Sequence, residues 1–343
     1  MRKISGFQLP ALSALLFFSL IFAVAQQPAA DSNITIDVVV TPKNGAPVAE
    51  LRQENFMLLD NQAPASISSF RELGAGQAPA EAIIVVDAVN AGYQTVAFAK
   101  GQIATYLKAN GGHLALPTAL AVITDTSSQV QQGFTQDGNA LNSDLEKYTT
   151  GLRSIPRSTG FYGADERFQI SLKALQSLAA SEAGRPGRKL ILWVSPGWPL
   201  LTGPRIEVNA KQQQALFQEI AALSTQLRQA RVTLYAIDPI GVSENLGRVD
   251  YYQAYIKGVS KPSQANAANL SLQVLAVQSG GLALNSSDVN GMLQKCIADT
   301  TAYYELTFAP VRGEKPETYH HLQVKLTQSD LTARTRDGYY LQP

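Results

Sequence analysis

Ser195, Asp238 and the pair His320 and His321 follow one another in the nucleophile–acid–base order of α/β-hydrolases. That chemistry needs a Gly-x-Ser-x-Gly elbow, and Trp193 stands at its first glycine position. The residue after the nucleophile must also lend its backbone N–H to the oxyanion, and Pro196 has none. The two histidines sit in an alternating run expected to form a half-exposed β face, where neighbours point to opposite sides. A second chemistry is suggested by carboxylates. Asp87, Asp125 and Asp238 each follow an apolar run, so with Asn90 they are candidates to crowd one sheet edge and hold a cation or share a proton. The plainer reading is that each orders its loop or caps a helix. Dinucleotide and nucleotide sites lack their glycine-rich signatures. Three histidines and one cysteine, without a His-x-x-x-His spacing, furnish no standard zinc site.

The elements that must position these residues follow from hydropathy. Three short strand-like runs come first, at residues 33–40, 56–59 and 65–70. Ile34, Ile36, Val38 and Val40 recur at period two and share one face. From residue 81 the texture becomes strand, helix, strand, helix. Apolar runs at 83–86, 120–123, 189–194, 232–237 and 281–284 alternate with helical stretches at 93–108, 164–180, 210–228, 272–278 and 289–298. Phe134 closes an edge strand, and Asp137 caps a helix running through Tyr148. The pattern predicts a doubly wound, mostly parallel α/β sheet covered on both faces. Runs at 304–308, 321–326 and 332–336 return to β character. They are expected to pair with the N-terminal strands as a small β-sandwich-like unit.

At the amino terminus, Arg2 and Lys3 precede an apolar run over residues 11–24, and Ala23-Val24-Ala25 has the small-x-small form of a cleavage site. Residues 1–25 therefore read as a signal peptide, directing the protein to a secreted or periplasmic location. The run is too short to span a bilayer, and Gln26-Gln27 follows it. The expected division is signal peptide 1–25, N-terminal β segment 26–75, α/β domain 80–300 and C-terminal β segment 301–343. Lys plus Arg total 28 against 27 Asp plus Glu, so no strong field draws nucleic acid. The single cysteine, Cys296, precludes an internal disulfide and reads as a small buried hydrophobe.

The layout resembles a von Willebrand factor A (vWA) domain: a buried strand ending in Asp87, a Thr-containing loop before a helix, then a strand ending in Ser195-Pro196-Gly197. Residues 38–48 (Val-Val-Val-Thr-Pro-Lys-Asn-Gly-Ala-Pro-Val), Leu51 and Glu54-Asn55-Phe56 resemble the vWFA-related family first defined in acidobacterial proteins. So do Tyr303-Tyr304-Glu305-Leu306 and Arg336-Asp337-Gly338-Tyr339-Tyr340. The resemblance implies a metal-ion-dependent adhesion site, in which an Asp-x-Ser-x-Ser run, a distant Thr and a distant Asp hold Mg²⁺. Here the run is Asp87-Ala88-Val89-Asn90-Ala91, with Val89 and Ala91 at the hydroxyl positions. Thr159 fits the distant Thr, and Pro196 replaces the distant Asp. Two of five ligands remain, so no cofactor is expected.

Ligands of doubly wound sheets meet the loops beyond the carboxyl ends of the strands. Phe161, Tyr162, Trp198, Tyr251, Tyr252 and Tyr255 fall in those loops and form a candidate aromatic rim for a protein partner. The bland alternative is local packing. Three functions are weighed: a non-enzymatic protein-interaction or scaffold module with a degenerate metal site, an adhesin with a rearranged cation site, and a serine hydrolase. The first is expected.

Overall fold

The computed structural model describes residues 33–43, 45–74, 76–125, 128–131, 133–148, 160–201, 209–240, 251–311 and 315–342. The signal segment and Thr159 lie outside them. β1 (Ile34–Pro42), β2 (Phe56–Asp60), β3 (Ala63–Pro64) and β4 (Ile67–Gly74) precede the α/β unit. That unit runs β5 (Ala80–Asp87), α1 (Tyr93–Lys108), β6 (His113–Ile123), β7 (Ser128–Val130), β8 (Thr135–Asp137), α2 (Gly138–Lys147) and α3 (Phe161–Glu182). It continues through β9 (Arg188–Val194), α4 (Ala210–Gln229), β10 (Val232–Asp238), α5 (Leu272–Gln278), β11 (Ala283–Asn285) and α6 (Val289–Ala298). β12 (Ala302–Phe308), β13 (Tyr319–Leu326), β14 (Leu331–Arg334) and β15 (Gly338–Tyr340) follow.

The central sheet has the order β11-β10-β9-β5-β6-β7. β5, β6, β9, β10 and β11 are parallel, whereas β7 and β8 pair antiparallel with β6. The order reverses direction between β5 and β9, which places the switch point of a doubly wound sheet beside Asp87. Alternation decides which helices each strand residue meets. Ile83, Val85, Ile191 and Trp193 pack in one core with residues of α3, α4 and α5. Ile84, Val86, Leu192 and Tyr235 pack on the opposite face with residues of α1, α2 and α6, including the buried Cys296.

Two antiparallel sheets, β14-β1-β12-β4 and β15-β13-β2-β3, flank this unit. Each combines strands from before and after it, as β1 pairs with β12 and β14, and β2 with β13. Their shared core holds Ile34, Ile36, Val38 and Val40 together with Tyr304, Leu306 and Phe308. Arg231, in the left-handed turn before β10, ties the layers together by reaching Asp37 of β1 (2.5 Å) and Glu305 of β12 (2.6 Å).

Several expectations require correction. The helix expected over 164–180 begins at Phe161, so Phe161 and Tyr162 occupy its first turn and not a loop. Phe134 lies between two short edge strands. Of the two histidines on the alternating strand β13, His320 is 1% exposed and lies on its packed side, whereas His321 is exposed on the other. His320 Nδ1 lies 2.7 Å from Oδ1 of buried Asp60, whose other oxygen accepts the Tyr339 hydroxyl at 2.7 Å.

Candidate functional site

Asp87 closes β5 at the switch point and is 1% exposed. Its Oδ1 accepts the amides of Val89 (2.9 Å) and Asn90 (3.0 Å). Its Oδ2 accepts Asn90 Nδ2 (2.8 Å) and the indole Nε1–H of Trp193 (3.0 Å). A carboxylate offers about four lone-pair sites, and these four donors use them. The alternation that sends Trp193 to the α3–α4 face of β9 brings its indole beneath the end of β5, and a buried indole N–H requires an acceptor. Val89 and Ala91, where the resemblance calls for hydroxyls, are buried in opposite cores. This donor set does not fit a hard divalent cation, which needs a near-octahedral shell of oxygens. Among the described residues no group of three or more His, Cys, Asp or Glu side chains is placed to hold a metal.

The candidate hydrolase triad is incomplete, because Ser195 and Asp238 stand at the ends of the paired strands β9 and β10 whereas His320 and His321 belong to β13 of another sheet. Ser195 is 1% exposed, and its Oγ accepts the amide of Gly197 at 3.2 Å. His320 sits in β13 against Asp60, stacked on Tyr339. Asp238 ends β10, where its carboxylate accepts the amide of Ile240 (2.9 Å) and Asn285 Nδ2 (3.3 Å). Burial pushes the Asp238 carboxyl above the usual carboxylate range, and the Ile240 amide opposes the shift.

Beyond the ends of β9, β10 and β11 lies a cavity of 420 Å³, within the ~300–1,000 Å³ span of small-molecule sites. Asn90, Trp198, Asp238, Tyr251, Tyr252 and Asn285 are among its lining residues. Three of these leave a buried polar atom without a hydrogen-bond partner: Asn90 Oδ1, Trp198 Nε1 and Asn285 Oδ1. Each such atom costs roughly 1–3 kcal/mol if nothing satisfies it.

The six aromatic residues of the expected rim divide. Trp198 is 4% exposed, its ring edge-on to Trp193 (5.3 Å) and Phe168 (6.4 Å), so it is a wall of the core and not a surface anchor. Its neighbours Pro196 and Gly197 turn the chain back over the sheet, and Gly197 takes a φ of 107° open to few other residues. Tyr251, Tyr252 and Tyr255 form a half-buried 3-10 turn. The Tyr251 hydroxyl donates to Gln273 Oε1 at 2.9 Å. Phe161 and Tyr162 remain exposed, at 51% and 84%, with rings edge-on 6.0 Å apart. Sequence reasoning missed Trp193 as the partner of Asp87, and Asn285 and Gln273 as cavity residues. For Trp193 the signal was available: an indole at a fully buried strand position must find an acceptor.

No protein-family model matches this chain, and no curated protein matches it. Among solved structures, proximal thread matrix protein 1 from the mussel byssus aligns at 14% identity and TM-score 0.34, covering 66% of this chain and 49% of that one. The chain thus spans about half the length of that protein. Manganese-loaded TRAP protein of Plasmodium vivax aligns at 10% identity and TM-score 0.34, covering 78% and 96%. The VWA domain of SpRpn10 aligns at 15% identity and TM-score 0.27, covering 63% and 95%.

Proposed function

We propose that this chain is an exported, non-enzymatic protein-interaction module of the vWA kind that engages its partner without a metal ion. The observation that carries the reading is the exposed Phe161–Tyr162 pair on the first turn of α3. Two large rings held in water favour association, because burying them removes apolar area and each ring brings a defined contact shape. The saturated carboxylate of Asp87 supports metal independence, since a cation would have to displace two backbone amides, an amide N–H and an indole. Export rests on the residues of the signal segment. No helix among the described residues is long and apolar enough to cross a membrane.

The test is affinity capture from a cell-envelope extract, with and without chelator, by the natural protein and by the double variant Phe161→Ser, Tyr162→Ser. Capture that survives chelator and disappears in the double variant is expected. Capture abolished by chelator would instead favour the cation-dependent adhesin. Covalent labelling of Ser195 by a fluorophosphonate would overturn the non-enzymatic reading.

A further inference from the structure

The cavity above β9, β10 and β11 is lined in part by Ala164 and Arg167 of α3, within two turns of the Phe161–Tyr162 pair, and makes its own chemical demand. Its unpartnered atoms are of both kinds, two acceptors and one donor. The amide orientations are set by carboxylates, because Asn90 Nδ2 donates to Asp87 and Asn285 Nδ2 donates to Asp238. The unpartnered atoms on those two side chains are therefore carbonyl oxygens, and they need a donor. Trp198 Nε1 is donor-only and needs an acceptor. A carboxylate or a fully ionised phosphate cannot donate to the asparagine oxygens, and an ammonium cannot accept from the indole. A hydroxyl group does both. The lining also holds one acid and one base, Asp238 and Arg167, which leaves the walls near neutrality. Tyr251 and Tyr252 add ring surface on which the C–H face of a sugar can lie.

We propose that this cavity is a binding site for a neutral polyhydroxyl ligand of monosaccharide size. Asn90 and Asn285 accept from its hydroxyls, the Trp198 indole donates to one, and the tyrosines cover its apolar face. The volume of 420 Å³ admits one sugar ring with ordered water.

Saturation-transfer NMR on the full chain tests this with glucose, galactose, mannose and N-acetylglucosamine, each alone, beside an acetylated tripeptide amide and ethanolamine as competing chemistries. Transfer to at least one sugar is expected, together with a change in tryptophan fluorescence on titration. Asn285→Ala should weaken that sugar about fivefold or more, the effect of losing one hydrogen bond. Tyr252→Ala provides a second, independent loss should the first variant not fold. No transfer to any of the four sugars overturns the proposal. So does binding unchanged in both variants, or a response to the tripeptide or ethanolamine that exceeds the response to every sugar.

Discussion

Replacing Trp193 with Phe isolates the contact that closes the Asp87 site. The phenyl ring keeps most of the packing against Trp198 but cannot donate to Oδ2, where the indole N–H now lies at 3.0 Å. A hydrogen bond to a charged acceptor contributes about 1.5–3 kcal/mol, and Asp87 is too deeply buried for water to take the indole's place. The smaller ring also leaves about 40 Å³ unfilled, which at ~24 cal/mol per Å³ adds about 1 kcal/mol. The expected loss is therefore about 2.5–4 kcal/mol, a fall in Tm of roughly 5–15 °C for a unit of this size. Urea unfolding gives the number directly, provided the slope is unchanged. A double-mutant cycle with Asp87→Ala should return a coupling of at least about 1.5 kcal/mol, because both partners share one bond. A loss under about 1 kcal/mol, or a coupling near zero, would refute the claim that the indole satisfies this carboxylate.

Three further outcomes follow from buried groups. Asp60→Ala removes the acceptor of the Tyr339 hydroxyl and the partner of His320 Nδ1 in the sandwich core and should cost about 3 kcal/mol by urea unfolding, while Asp60→Asn should cost less. Cys296 is buried and its thiol is pushed up by desolvation, so a maleimide at mild alkaline pH should label it only in denaturant; rapid labelling of the native protein would contradict its place in the core. Burial raises the Tyr106 hydroxyl from 10.0 to about 12 and also raises Tyr235, Tyr304 and Tyr340. A raised folded-state value stabilises fully below the unfolded one and is lost above it, so stability should fall between pH 10 and 12. Phenolate absorbance should rise together with loss of circular dichroism; free titration near pH 10 with the fold intact would show these rings to be accessible.

Much of the architecture was legible because single residues declared it. The helix over 93–108 and that over 289–298 have the expected bounds, since the apolar spacing is bracketed by residues that stop it. Asp137 caps its helix through the amides of Asn139 and Ala140, as an acid before a helical run should. The period-two stripe of Ile34, Ile36 and Val38 is buried throughout. The site was less legible, because its contacts join residues far apart in the chain. Asp87 and Trp193 are separated by 106 positions and Asn90 and Ser171 by 81, and local pattern carries no register between them. Aromatic type alone also failed to divide the rim: Trp198 and Tyr162 look equally suited to a surface, yet one is a core wall and the other is open to water.

The sandwich sets a timetable for biogenesis. Thr35 of β1 and Thr307 of β12, whose hydroxyls meet at 2.9 Å, lie 272 residues apart. At the usual pace of synthesis, about 5–20 residues per second, the first strand waits roughly 15–50 s for its neighbour. Through that interval the stripe of Ile34, Ile36 and Val38 lacks the strand that buries it, an apolar face open to aggregation. A chain cut short before β12 keeps every residue of the α/β unit but leaves its opening strand adhesive, a ready mark for proteolysis.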